Sequence, residues 1–416
     1  MASRTVSAPI ESIRRLAVTN QCLSGFRRAK ADDEAILAAV KKTCYIQWDP
    51  ISVIAPSHVI ALWARLGSFR LSSLEKLMWK EKKLFLHWTP IATVVLTEDY
   101  PLYYSLMKRY PESLTRSWGS QAARAKKFLV EHKSLRKSIL SELKNGPMQL
   151  TQFQHYVRSK RSEDGWSSGS DVSTMLYHLH MSGEVMVVGH EGNQNVWGLS
   201  EEFLPGWTER RTLPQDEVER EAALRTIGAM GAASPSEIYR YFIRGRFKNL
   251  KGAIQSLLDD SMIHRIDIPG QRSRDGFFIR DQDVALLQEM ETDTWQPRMT
   301  LLAPFDNMVA VRDWTKRVFA FGYVHEQFLP REKRRYGTFV LPILWGDRII
   351  GRVDPRMDAD SGKFVVNTVH AEPGAPDSKE VATEIADTIR LFSEFLGADE
   401  VLYSSMVPHA WKSVLR

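Results

Sequence analysis

Residues 172–199 read VSTMLYHLHMSGEVMVVGHEGNQNVWGL. Val172, Met175, Leu176 and Leu179 recur at helical spacing and predict a helix over about 170–182. Two β-rich runs follow, Val185–Val188 and Asn195–Leu199, joined by the turn residues His190-Glu191-Gly192-Asn193. Upstream, a helix spans about 134–144 and Asn145-Gly146-Pro147 breaks it. A short helix then runs from Leu150 to about Tyr156. The polar loop Glu163-Asp164-Gly165-Trp166-Ser167-Ser168-Gly169 leads into the 170–182 helix. Three helices closed by a hairpin form a winged helix, with the third helix as groove reader and the hairpin as wing.

The pattern repeats about 85 residues later. A helix over 216–229 is followed by Ser234-Pro235, an N-cap serine with proline at the first helical position. Helices over about 235–243 and 248–260 come next. The wing is expected at Ile263–Ile268 and Gly276–Ile279. Pro205-Gly206 and Leu213-Pro214 mark the linker between the two modules. The repeat makes a tandem of modules and not a solenoid.

Outward from this pair, residues 8–18 and 32–43 carry apolar positions at helical spacing. Asp32 and Asp33 open the second of these, and Lys41 and Lys42 close it, as the helix dipole favours. Ser57 can cap a helix through Leu66, closed by Gly67. Ser72 or Ser73 starts another through Trp79. This order suits a helix-turn-helix derivative. Beyond residue 296 the character changes. Val318–Tyr323, Gly337–Leu344, Ile349–Val353 and Lys363–Val369 read as strands, and 378–396 as a periodic helix ending at Gly397. The expected class is α+β: tandem winged-helix modules at 1–120, 121–210 and 211–295, then a mostly antiparallel sheet domain at 296–416 with a terminal helix.

Composition narrows the function. The 416 residues are 43% hydrophobic, enough for real cores, and carry a net charge of +6. The pI is about 9.1, a modest hint of a polyanionic partner. Ten basic residues between Lys108 and Lys144 face three glutamates, which suits either a solvated helix face or a phosphate-tracking surface. Cys22 and Cys44 cannot build a zinc site or a disulfide framework, and a reducing cytosol fits them. No metal or cofactor is called for, and no run of apolar residues is long enough for a membrane span.

One short segment carries chemistry. In Tyr45-Ile46-Gln47-Trp48-Asp49-Pro50-Ile51-Ser52, Gln47 and Asp49 stand two residues apart. In extended backbone both point to one side, with Trp48 turned the other way to anchor the segment. Pro50 favours extended geometry at Asp49. A carboxylate beside an amide can hold and polarise a water. The plainer alternative is that Asp49 caps a turn near Ile51 and Ser52.

Several blocks, taken together, resemble one family. They are Arg14-Arg15-Leu16-Ala17, Gln47 through Ile54, Ser57-His58, Leu62 through Gly67, and Glu98-Asp99-Tyr100-Pro101. Leu302 through Asn307, Lys333-Arg334-Arg335-Tyr336-Gly337, Val340-Leu341-Pro342, Gly346-Asp347-Arg348 and Gly351 through Pro355 continue the series. In this order they resemble the YcaQ/AlkZ family of winged-helix DNA glycosylases. The resemblance implies three winged-helix modules plus a sheet domain, and excision of alkylated purines. In some members it implies unhooking of interstrand crosslinks. The family's catalytic motif is Gln-x-Gln or Gln-x-Asp, and Gln47 and Asp49 match the Asp form. One departure is plain: the family pattern places Ala-His-Glu-Ala after the tryptophan matched by Trp88, where this chain has Thr89-Pro90-Ile91-Ala92.

The expectation is therefore a monofunctional glycosylase acting on double-stranded DNA as a monomer, cytoplasmic and nucleoid-associated. Gln47 and Asp49 are its candidate catalytic residues. Ser57, His58, Arg331, Lys333, Arg334, Arg335 and Tyr336 are its candidate DNA contacts, although His58 could instead cap and pack locally. The competing expectation is a winged-helix transcriptional regulator without catalysis. It is distinguished by operator preference, where a repair enzyme binds undamaged sequences evenly with steep salt dependence.

Overall fold

The computed structural model describes residues 6–27, 30–49, 53–88, 91–114, 119–153, 169–192, 194–358, 360–404 and 406–416. The fold is α+β. The chain forms two compact units that do not follow chain order. One contains residues up to Leu71 with Ala223–Phe242 and Ile254–Arg416; the other contains Ser72–Ala222 with Ile243–Ala253.

In the first unit the Asp33–Thr43 helix is capped by Asp32, whose carboxylate accepts from the Ala35 amide. It ends where Cys44 turns into the left-handed region at φ 70°. That turn releases the chain into the short strand Ile46–Gln47. The Ser57–Leu66 helix is buried at every residue, as a helix flanked by packing on all faces must be. Pro56 occupies its N-cap position, so Ser57 sits inside the helix and makes no cap. Trp63 packs on Phe392 of the terminal helix, with ring centroids 4.6 Å apart.

The C-terminal sheet has five strands: Met299–Leu301, Leu341–Trp345, Arg348–Asp358, Lys363–Ala371 and Glu400–Tyr403. The first three pairings are antiparallel and the last is parallel. The terminal helix Lys379–Phe395 is capped by Ser378, and Gly397 beyond its end takes φ 78°. Two sequence expectations need correction here. Val318–Tyr323 is not a strand: Arg312–Phe319 is a helix that buries Trp314, Thr315, Val318 and Phe319, and Ala320 at φ 52° stops it. Gly337–Leu344 is a strand only from Leu341 onward. Thr338 and Phe339 give their amides to the Asp354 carboxylate instead of a ladder.

Each helical module ends in a hairpin. Val185–Glu191 pairs antiparallel with Gln194–Leu199, which Met148–Gln149 extends on the other edge. Ile263–Asp267 pairs with Phe277–Arg280, and Val6–Ser7 joins it in parallel. Ser234 and Glu237 form a full capping box before the Pro235–Arg240 helix. The N-terminal region also has a hairpin, Leu84–Trp88 with Ala92–Leu96. The expected loop at 163–168 lies outside the described residues. Among the described residues, no helix is long and apolar enough to cross a membrane.

The second unit buries two histidines completely. His87 sits on the first strand of the Leu84–Leu96 hairpin and His180 near the end of the Gly169–Met181 helix, with rings 5.7 Å apart. Burial pushes His180 down to about 3, against a backbone hydrogen bond at Val185. Burial also holds His87 well below its ordinary value, with His180 and Arg246 adding repulsion. Above about pH 6.5, the reference value, both states of the chain hold these rings neutral. As pH falls below that point the unfolded chain takes up protons that the folded chain refuses, so stability falls with pH. For His180 alone the loss on going to pH 5 is about 2 kcal/mol. Urea midpoints at pH 7.5 and 5.0 measure it. His180→Leu should flatten the difference, and an unchanged pH slope in that variant would refute the assignment.

Candidate functional site

The Gln47–Asp49 segment is held from behind by residues far away in the chain. The Asn307 amide nitrogen donates to the Tyr45 carbonyl at 3.1 Å and to the Thr43 carbonyl at 3.3 Å. It also donates to the Tyr241 hydroxyl at 3.1 Å, and that hydroxyl donates to the Thr43 carbonyl at 2.9 Å. Asn307 and Tyr241 are at most 1% exposed. Burial lifts the Tyr241 phenol well above its ordinary value, so it serves as a neutral donor. The Tyr45 and Tyr241 rings pack at 5.3 Å. A buried clamp of this kind fixes the backbone that enters the motif, and precise placement is what a reactive side chain needs.

Gln47, Trp48 and Asp49 are half-buried. The Trp48 ring lies flat on His58, with centroids 3.9 Å apart and planes 12° from parallel. Trp48 thus anchors the segment to the start of the Ser57–Leu66 helix. The turn at Ile51 and Ser52 that Asp49 was an alternative cap for lies outside the described residues.

One neighbour had no signal in the sequence. His325, from the C-terminal region, is 7% exposed and lies within electrostatic reach of Asp49. Its Nε2 faces the Gln327 side-chain oxygen at 3.0 Å, and its buried Nδ1 has no hydrogen-bond partner among the described residues. Burial lowers its pKa; Gln327 and Asp49 oppose this, and Arg312 adds to it. Phe305 packs against its ring at 4.9 Å. Asp49 thus lies within electrostatic reach of a buried histidine on whose ring Phe305 packs.

The candidate DNA contacts divide. Ser57 is 1% exposed and His58 5%, so both are occupied in packing and neither is presented to solvent. Arg334 is tied within its own loop, donating to the Leu329 and Gln327 carbonyls and to the Thr338 hydroxyl. Arg331, Lys333 and Arg335 are exposed. Tyr336 is half-buried between the guanidinium groups of Arg335 and Arg352, at 5.0 and 4.1 Å. Two carboxylates shape this loop. Glu326 accepts from the amides of Arg335, Tyr336 and Gly337. Asp354 approaches Gly337 so closely that a Cβ there would lie 2.2 Å from its carboxyl carbon. Arg334, Gly337 and Asp354 in the sequence blocks thus help to hold the shape of this loop.

The basic 108–144 segment is partly neutralised: Lys126 pairs with Glu112, Lys127 with Glu131 and Arg136 with Glu184. Lys108 and Lys144 line a cleft of about 310 Å³ in the second unit, with Tyr100, Tyr104, Ser200 and Arg210. Among the described residues, no group of three or more His, Cys, Asp or Glu side chains could hold a metal ion.

Comparison with known proteins agrees with this architecture. A solved structure, the Streptomyces sahachiroi DNA glycosylase AlkZ, is 16% identical; the match covers 96% of this chain and 100% of that one, at a TM-score of 0.64. At that identity the likeness shows a shared fold. The family model described as DNA glycosylase AlkZ-like matches residues 40–391, which include the Gln47–Asp49 segment, its Asn307 and Tyr241 clamp, and His325. The chain belongs to the AlkZ-like DNA glycosylase family.

Proposed function

We propose that this protein hydrolyses the N-glycosidic bond of alkylated purines in double-stranded DNA, with N7-alkylguanine as the type substrate, and leaves an abasic site. The observation that carries the reading is the Gln47–Asp49 pair on a segment clamped through the Tyr45 and Thr43 carbonyls. An N7-alkylguanine is cationic, so the base departs neutral when it takes the C1′–N9 electron pair. Little acid assistance to the leaving group is needed. What remains is to stabilise positive charge on the sugar and to deliver water.

In this reading Asp49 faces C1′ and stabilises the oxocarbenium-like sugar. Water adds its oxygen to C1′ and passes its proton toward the Asp49 carboxylate. Gln47 orients that water. No lysine lies in residues 45–49, so no Schiff base forms there and the enzyme is monofunctional. A purine tied to the opposite strand cannot be swung fully into a closed pocket, so interstrand-crosslinked DNA is the second substrate to test.

The test is single-turnover base release from a duplex carrying one N7-methylguanine, with and without alkaline cleavage. Free base plus strand breaks that appear only after alkali is the expected result. Breaks without alkali would exclude a monofunctional enzyme. Absence of free base with both the methylated and the crosslinked duplex would overturn the substrate class.

A further inference from the structure

We propose that Phe328 stacks against the disturbed base step at the lesion and holds the duplex open there while Asp49 acts on the sugar. This rests on the function proposed above. The ring is 70% exposed. A single exposed apolar side chain is ordinary on a protein surface. Three observations set this one apart.

The first is that its loop is held rigid. Phe328 ends the turn Glu326–Phe328, and the Leu329 amide returns to the Glu326 carbonyl at 2.9 Å. Glu326, 5% exposed, binds three successive amides with its side chain, and Arg334 ties down the carbonyls of Gln327 and Leu329 on either side of Phe328. The ring stays exposed because the backbone under it is fixed. An aromatic on such a loop stacks at little further entropic cost.

Position is the second observation. Phe328 meets the His325 ring edge-on at 5.3 Å, and His325 lies within reach of Asp49. The exposed ring therefore packs on the histidine that Asp49 reaches electrostatically.

The third is charge. Arg331, Lys333 and Arg335 are exposed on the same loop, against one exposed acid, Glu332. Cations on the same loop as an exposed aromatic suit a nucleic acid, whose phosphates take the charge and whose bases take the ring face. Apolar wedges that unstack a base step work in this way.

The experiment compares wild type with Phe328→Ala, Phe328→Tyr and Phe328→Trp. It uses undamaged duplex and duplex with one N7-methylguanine next to 2-aminopurine. Affinity, single-turnover base release and 2-aminopurine fluorescence are read together. Phe328→Ala should lose about tenfold in release rate and in preference for the damaged duplex, the scale of one base–aromatic stack. Its affinity for undamaged duplex should hold, and the fluorescence rise seen with wild type should vanish. Tyrosine and tryptophan should restore both signals. Equal losses on both duplexes would make Phe328 a general DNA contact and overturn the proposal, as would an alanine variant with unchanged rate and fluorescence. If wild type releases no base, the function proposed above fails. The fluorescence and affinity comparison then still decides Phe328.

Discussion

Asp49→Asn should abolish measurable base release while duplex affinity stays nearly unchanged. The substitution keeps size and hydrogen-bonding reach but removes the negative charge. Lost stabilisation of developing charge and lost proton acceptance each cost on the order of 10²–10⁴ in rate. The segment is held through backbone carbonyls and through the Trp48–His58 stack, which the substitution leaves in place. Gln47→Ala should lose less, since the role proposed for it is to orient water without carrying charge. Single-turnover release from the N7-methylguanine duplex gives the rates, and fluorescence anisotropy gives the affinities. Release by Asp49→Asn at the wild-type rate would end the assignment. A large loss of affinity would instead place Asp49 in binding.

The contrast between what the residues foretold and what they did not has a physical basis. Helices bounded by local chemistry were legible: the dipole-ordered charges of Asp32, Asp33, Lys41 and Lys42 around 33–43, and the apolar periodicity ending at Gly397 for 379–395. The 84–96 hairpin was not read. Its first strand, Leu84-Phe85-Leu86-His87-Trp88, is buried on both faces through His87, so it lacks the alternation that marks a half-exposed strand. Val6–Ser7 is two residues long and finds its parallel partner 260 residues away, at Ile266 and Asp267. Val318-Phe319 is β-branched and aromatic, which suggested a strand, yet tertiary burial of Trp314 and Val318 on one face decided for helix.

The candidate site divides the same way. Gln47 and Asp49 stand out because two residues suffice to state their geometry. Tyr241, Asn307 and His325 join them only through the fold, and no spacing rule reaches across such separations. Arg334 was read as a DNA contact from its charge alone, and the hydrogen bonds it makes within its own loop have no signature in composition.

Asp306→Ala should destabilise the first unit by about 3–5 kcal/mol, the usual result of leaving one partner of a buried ion pair behind. Both side chains of the Arg65–Asp306 pair are wholly buried. The pairing is two-pronged, at 2.6 and 3.0 Å, and Arg65 also donates to the Ala61 carbonyl and the Gln21 side chain. Burial pulls the Arg65 pKa down, but Asp306 more than offsets it, and the guanidinium ends above its ordinary value. Without Asp306 the burial penalty on the guanidinium is left unopposed, and a buried cation stripped of its partner costs stability. Asp306 also caps the Met308 amide, next to the Asn307 clamp. Loss of stability and loss of base release should therefore appear together in this variant. Replacing both partners, as in Arg65→Met with Asp306→Leu, removes the stranded charge and should recover part of the stability. It should recover less of the activity, because the carboxylate that orients residues 306–308 stays absent. Urea unfolding followed by a probe in the first unit reads the stability. A single variant within about 1 kcal/mol of wild type, the range of an exposed pair, would show that water reaches Arg65 and that the pair does not tie the Ser57–Leu66 helix to the start of the Asn307–Ala310 helix.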